Sequence, residues 1–147
     1  MNAKTLFGWG VVLLMVVTAS CATGGAGMST VPPEVKVTVV NFMESTDIGI
    51  TTQIYFSVAN LTDRELTGLT LTIATNPSDG VDVPYREMAI DPIAPNGTWN
   101  PGPFVVRGRQ PGTTAVFFIV SRDGVRLAKD YALVGVSPDE FLLGPPF

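Results

Sequence analysis

The sequence predicts an all-β fold in which two sheets pack face to face as a sandwich. Apolar and polar residues alternate in short runs from Glu34 onward, which is the pattern of half-buried strands. The first run extends from Val35 to Val39, with Lys36 and Thr38 between valines. Segments rich in glycine, proline, asparagine and aspartate separate such runs at intervals of about 8–12 residues, as in sandwich domains. No segment after Glu34 shows a convincing helical period.

Seven or eight strands are expected between residues 34 and 136. In chain order they are 35–39, 50–58, 66–73, 80–83, 88–93, 98–106, 113–120 and 125–136. The second is expected to bury Ile50, Ile54, Phe56 and Val58 on one face. The third interleaves Leu66, Leu69, Leu71 and Ile73 with threonines at 67, 70 and 72, and threonine suits the solvated face of a strand.

The last two strands are predicted to form a hairpin. Asp123 and Gly124 stand between them, and this dipeptide supplies the positive φ angles of a type I′ turn. Because neighbouring side chains of a strand point to opposite faces, one of Phe117 and Phe118 should enter the core and the other should lie outside it. The strand count and turn spacing together indicate an immunoglobulin-like or fibronectin-type-III-like sandwich. The Cys…Trp…Cys spacing of antibody domains does not occur.

Two stretches resemble a known group of bacterial domains. Residues 58–73 (VANLTDRELTGLTLTI) are similar to a stretch of the bacterial immunoglobulin-like domains of the CARDB group. Residues 90–97 (IDPIAPNG) resemble the turn that leads into a strand in the same group. Residues 112–135 look like its closing hairpin. A second resemblance is to the water-stress/hypersensitive-response domain, although Asn60-Leu61 stands where that family has Asn-Pro. Either resemblance implies an adhesive, spacer or accessory module.

The N-terminus resembles the signal peptide of a bacterial lipoprotein. Residues 6–17 (LFGWGVVLLMVV) are uncharged and almost wholly apolar, and their length fits the hydrophobic region of a signal peptide better than a membrane span. Thr18-Ala19-Ser20-Cys21 follows and is similar to the lipobox, although the first position usually holds leucine. The resemblance implies that residues 1–20 are removed and that Cys21 carries acyl chains. The open alternative is an uncleaved membrane helix with a buried cysteine.

The remaining parts are a tether, one domain and a tail. Residues 21–33 are expected to be a flexible tether, 34–136 the sandwich, and 137–147 an apolar tail. Ala22 follows the lipidated cysteine instead of the aspartate that resembles an inner-membrane retention signal, so the outer membrane is favoured. The protein is then expected at the bacterial cell envelope, facing the periplasm or the surface.

Composition excludes several functions. Histidine is absent and Cys21 is the single cysteine, which removes Ser-His-Asp catalysis, internal disulfides and multi-cysteine metal sites. A net charge of −4 without a basic run argues against nucleic-acid binding. The loop 76–82 offers oxygen ligands but lacks calcium-loop spacing. We expect no catalytic residues, no metal site and no cofactor.

Two places are candidates for contact with a ligand or partner. Trp99 lies in a loop-like segment where its ring could stack on a sugar, although we favour packing in the core or at its rim. The tail carries four large apolar residues: Phe141, Leu142, Leu143 and Phe147. They are expected to dock either on the protein's own sheet, which we favour, or in a partner's groove.

The expected function is that of a membrane-anchored, non-catalytic interaction or accessory module. Its partners would be the membrane, through acyl chains, and a protein of the envelope. The alternative is a carbohydrate- or small-ligand-binding domain that uses aromatic residues at one end of the sandwich.

Overall fold

The computed structural model describes residues 32–138, and within that range it contains eleven strands and no helix. The all-β class is therefore confirmed. The strands are β1 (Val35–Val39), β2 (Met43–Asp47), β3 (Thr51–Ile54), β4 (Phe56–Asn60), β5 (Leu69–Asn76), β6 (Val81–Asp82), β7 (Glu87–Ala89), β8 (Thr98–Trp99), β9 (Phe104–Gly108), β10 (Gly112–Arg122) and β11 (Val125–Ser137).

The strands form two layers. One layer is a five-stranded sheet with the order β2-β11-β10-β5-β7. The other consists of two three-stranded sheets, β1-β4-β8 and β3-β9-β6. Only Tyr55 separates β3 from β4, so these two sheets follow one another along the same layer. This arrangement confirms the predicted immunoglobulin-like sandwich.

The chain crosses between the layers near its start. β1 pairs antiparallel with β4 in one layer, and β2 pairs parallel with the end of β11 in the other. Backbone hydrogen bonds hold the crossing on both sides: Val40 N–H donates to the carbonyl of Tyr55, and Leu133 N–H donates to that of Phe42. β2 was not among the predicted strands, because Met43–Asp47 (MESTD) has no run of alternating apolar residues.

The core lies between the two layers and is built by strict alternation. In β10, for example, Val116, Phe118 and Val120 are buried, whereas the residues between them are half-buried. Aromatic rings occupy the middle of the core. Phe118 stacks on Phe56 with ring centroids 4.3 Å apart and meets the edge of Phe104 at 5.3 Å. Such interlocked rings bind the two layers together by a large buried apolar area.

The predicted hairpin is confirmed in its details. Arg122 pairs with Val125, which leaves a two-residue loop. Both loop residues have positive φ, 53° at Asp123 and 79° at Gly124, as a type I′ turn requires.

Two predicted strands and one boundary are wrong. The single strands predicted at 50–58 and 98–106 are each divided between the two three-stranded sheets, as β3 and β4 and as β9 and β8, because pairing with different neighbours interrupts them. Ile50 was expected on the buried face with Ile54, yet its side chain is 57% exposed. Ile50 lies in a turn before β3, and its N–H donates to the carbonyl of Asp47. The register of β3 with β9 begins one residue later, at Thr51, so Ile50 does not share the pleat that buries Ile54.

Candidate functional site

Several predicted site residues lie outside the described range. Cys21 precedes it, and the tail residues Phe141, Leu142, Leu143 and Phe147 follow it. Trp99 is in β8, where it is half-buried and packs against the core. Its ring meets Phe56 edge-on with centroids 6.2 Å apart, so part of the indole is in contact with the sandwich interior.

Phe117 and Phe118 point to opposite faces, as predicted. Phe118 is completely buried, whereas Phe117 is half-buried on the outer side of the five-stranded layer. Phe117 lies opposite Tyr131 of β11, and their ring centroids are 5.7 Å apart. The ammonium group of Lys129 stands 5.5 Å from the centre of the Phe117 ring, within reach of a cation–π contact.

Phe117 and Tyr131 belong to a larger apolar surface, which we call the outer apolar face. Tyr131 also meets Phe42 edge-on at 5.4 Å, and Met43 lies beside Leu133 in the register of β2 with β11. Phe42 and Met43 are 48% and 65% exposed. The outer apolar face consists of Phe42, Met43, Phe117, Ile119, Tyr131 and Leu133.

A sequence signal for this face exists in β10. Residues 115–120 (AVFFIV) are apolar without a break, whereas a strand with one solvated face alternates. An unbroken run indicates apolar residues on both sides of the strand. The contributions of Phe42, Met43 and Tyr131 had no such signal, because they depend on the pairing of β2 with β11.

A polar groove lies beside the crossing of the chain. Its volume is about 430 Å³ and it is lined by Asn41, Glu44, Thr51, Thr52, Gln53 and Tyr55. The lining groups bond largely to one another. The Asn41 amide donates to Glu44 Oε1 at 2.6 Å and to the carbonyl of Gln53 at 2.7 Å, while the backbone N–H of Tyr55 donates to Asn41 Oδ1. These bonds support the crossing and occupy groups that a ligand would otherwise use.

Asn60 is a buried polar residue that was not among the candidate site residues predicted from the sequence. It ends β4 and is 2% exposed. Its amide nitrogen donates to the carbonyls of Arg64, Ile93 and Ala94 at 2.7–3.0 Å. Its side-chain oxygen accepts from the N–H and the hydroxyl of Thr62. Asn60 therefore joins the loop after β4 to the segment before β8.

The arginines make separate local contacts. Arg109 pairs with Asp82 at 3.1 Å, and Arg107 Nε donates to the carbonyl of Gly49. Gln110 donates to Asp79 in the loop that was weighed as a calcium site. In residues 32–138, no three His, Cys, Asp or Glu side chains come together as a metal site would require. The same range also lacks a helix with the length and apolar character of a membrane span.

Glu34 links three parts of the chain at one end of the sandwich. Arg122 donates to its Oε2 at 2.7 Å and Arg64 to its Oε1 at 2.6 Å. The hydrogen bond from Arg122 is the main cause that holds the pKa of the Glu34 carboxyl below its usual 4.5; desolvation opposes this effect and the bond from Arg64 adds to it. The start of β1 is thereby connected to the loop after β4 and to the closing hairpin.

This ion-pair cluster predicts a pH-dependent effect of Glu34→Gln. A carboxyl whose pKa is lowered by folding stabilises the fold above the unfolded pKa, and this contribution is lost as the pH falls through the folded pKa. The variant should therefore melt at a lower temperature than the native chain at neutral pH, and the difference should shrink as the pH falls through the folded pKa of Glu34. Glu65→Gln, at an exposed position, is the control. A difference that stays the same from neutral to acidic pH would contradict the assignment.

The comparisons with known proteins support the fold. Neither a family model nor a curated protein matches the sequence. The chain is similar to the CARDB domain of a Pyrococcus furiosus protein, with a TM-score of 0.53 and 12% identity over 71% of this chain and 94% of that domain. It is also similar to part of Escherichia coli alpha-2-macroglobulin in its native conformation, with a TM-score of 0.50, 21% identity and 71% of this chain covered. The match spans 7% of the macroglobulin's length. The architecture of the chain is thus that of the CARDB and immunoglobulin-like group.

Proposed function

We propose that this protein is an acylated lipoprotein of the bacterial cell envelope that works as a non-catalytic interaction module. The anchor in this proposal is Cys21, in the lipobox-like sequence Thr18-Ala19-Ser20-Cys21. A single acyl chain binds membranes only marginally, whereas two or more hold a protein stably. The twelve residues 22–33 give a root-mean-square reach of roughly 20 Å, so the sandwich would stay close to the lipid surface.

The observation that carries the interaction role is the outer apolar face. Aromatic residues and methionine are enriched where proteins bind one another, and Phe42, Met43 and Tyr131 are such residues in exposed positions. The outward strand residues of the other layer are mostly short or polar. They include Thr51, Gln53, Ser57, Ala59 and Arg107, together with the apolar Val105. The two surfaces of the sandwich therefore differ, and the five-stranded layer is the one suited to a protein partner.

The anchor predicts the behaviour of Cys21→Ala. This variant should lose acyl labelling and detergent partitioning, because no thiol remains to carry the thioether lipid, while its far-ultraviolet circular dichroism stays unchanged. Ser20→Ala, which keeps a small residue before the cysteine, should still be labelled. Retention of the Cys21→Ala protein in membranes after a high-salt wash would contradict the lipid anchor and favour an uncleaved helix.

The interaction surface is tested by crosslinking in intact envelopes. Replacing Tyr131 with serine should abolish a specific crosslinked species, because its ring contacts both Phe42 and Phe117 at the centre of the outer apolar face. Val105→Ser is the matched control, since Val105 is 39% exposed on the other layer and Tyr131 is 38% exposed. Equal loss with both variants would argue against this face as the contact surface.

A second candidate function is carbohydrate binding, and the polar groove is the observation that favours it. Tyr55 is 44% exposed at the groove, and an exposed aromatic ring is a surface on which a sugar can stack. Glycan binding that is lost in Tyr55→Ala would place the site at the groove. A change in tryptophan fluorescence on glycan binding would instead indicate Trp99. Retention of glycan binding by both variants, Tyr55→Ala and Trp99→Ala, would argue against these platforms.

A further inference from the structure

The outer apolar face occupies only part of the five-stranded sheet. Its largest side chains form a ridge along β11 and β10, where Tyr131 stands beside Phe117. The outward residues of the next strand, β5, are short and half-buried: Thr70, Thr72 and Ala74. The sheet therefore presents a ridge of large side chains beside a strip of short ones, and each has the shape that the other needs in order to pack against it.

Two opposite charges lie at the ends of one row across the same sheet. The strand register places side by side, on β11, β10, β5 and β7, the residues Lys129, Ile119, Thr72 and Glu87. Lys129 and Glu87 are both exposed, and neither belongs to an ion pair within residues 32–138. Three strand spacings, or about 14 Å, separate them. Each charge therefore has its complement at the opposite end of the row and does not meet it within one chain.

We propose that the outer apolar face binds the same face of a second copy of this chain, about a two-fold axis that runs parallel to the strands between β10 and β5. Such an axis places β10 of each copy over β5 of the other, so the ridge packs on the short side chains. Phe117 then lies over the partner's Ala74, and Ile119 lies over the partner's Thr72. The inference rests on the proposed interaction role of this face and names its partner.

The same axis joins the opposite charges. It places β11 over β7, so Lys129 meets the partner's Glu87 once on each side of the axis. Two such pairs fix the alignment of the copies along the strands, because electrostatic complementarity favours one register over its neighbours. A lipid surface would not satisfy this arrangement, since its phosphate groups would repel Glu87. The charges therefore favour a second copy as the occupant of the face.

The size of the overlap indicates a specific but weak dimer. β5 has eight residues. Four overlapping strands at about 4.8 Å and eight residues at about 3.3 Å enclose about 500 Å² of sheet. Two copies would bury about 1,000 Å² in total, which is near the lower limit of a specific protein interface. Sheets that pack face to face keep their strands within about 30° of each other, as an axis along the strands requires.

The first experiment applies a zero-length carbodiimide crosslinker to the full chain in its native membrane. The reagent joins an amine to a carboxyl group only where the two are in contact, so it can join Lys129 to Glu87 only between two copies. We expect a dimeric product in which these two residues are linked. A dimer that is linked only at other positions, a product that contains only a different protein or lipid, or the absence of a dimer would overturn the inference.

The second experiment reverses the charges and measures the dimer by sedimentation of the full chain in detergent. Lys129→Glu should reduce the association constant about tenfold or more, because it places like charges opposite each other at two positions. The double variant Lys129→Glu/Glu87→Lys should restore the dimer, since both pairs are then reversed and kept. Lys36→Glu, at an exposed position of β1 in the other layer, is the control. An unchanged dimer in Lys129→Glu, or no recovery in the double variant, would overturn the inference.

The outcomes separate the second copy from the proposed function. A crosslinked species that depends on Tyr131 but contains a different protein would keep the interaction role of the outer apolar face and overturn the second copy as its occupant. The absence of any species that depends on Tyr131 would overturn both.

Discussion

Replacing Phe118 with alanine is expected to lower the free energy of unfolding by about 3–5 kcal/mol, because the variant leaves a large cavity in a closely packed core. Phe118 is completely buried and connects the layers through its stack on Phe56, 4.3 Å away, and its edge contact with Phe104, 5.3 Å away. A loss of this size is a large part of the net stability of a domain, so denaturant unfolding should show a much lower midpoint.

The adjacent residue provides the matched control. Phe117→Ala removes the same side chain from the same strand, but from the outer side of the sheet. Its expected cost is about 0.5–1.5 kcal/mol, the contribution of aromatic contacts such as the one with Tyr131 at 5.7 Å. Equal losses in the two variants would contradict the division of β10 into a core face and an outer face.

Replacing Asn60 with alanine is expected to cost about 2–4 kcal/mol, because it leaves several buried polar groups without partners. The carbonyls of Arg64, Ile93 and Ala94 lose their donor, and Thr62 loses its acceptor. Denaturant unfolding measures the loss, with Asn100→Ala at an exposed position as the control. A cost as small as that of the control would show that water satisfies these groups equally well.

Asn60→Asp tests the same site through the pH dependence of the free energy of unfolding. Burial opposite three carbonyl groups would raise the pKa of the introduced carboxyl above its unfolded value of about 3.9. A raised pKa in the folded state makes the charged form unfavourable, so the penalty is smallest below about pH 3.9 and grows as the pH rises. Stability measured from about pH 3 to pH 7 should therefore fall for this variant relative to the native chain, which is the opposite of the direction expected at Glu34.

Local pattern was sufficient to predict the sandwich and its main strands. Period-two alternation identified β1 and the buried residues of β4 and β5, since side chains of a strand alternate between its two faces. Asp123-Gly124 identified the closing hairpin because positive φ angles at both positions are a local requirement of the turn. These features depend on residues that are close in the sequence.

The features that depend on distant residues were decided only by the tertiary structure. β2 is a strand because it pairs with the end of β11, and its own residues, MESTD, carry no alternation. Asn60 is buried and hydrogen-bonded because the fold brings the carbonyls of Ile93 and Ala94, more than thirty residues later in the sequence, next to its amide group. The outer apolar face likewise exists because the crossing places Phe42 beside Tyr131. Local sequence determines which face of a strand a side chain takes, whereas strand pairing across the fold determines which side chains become neighbours.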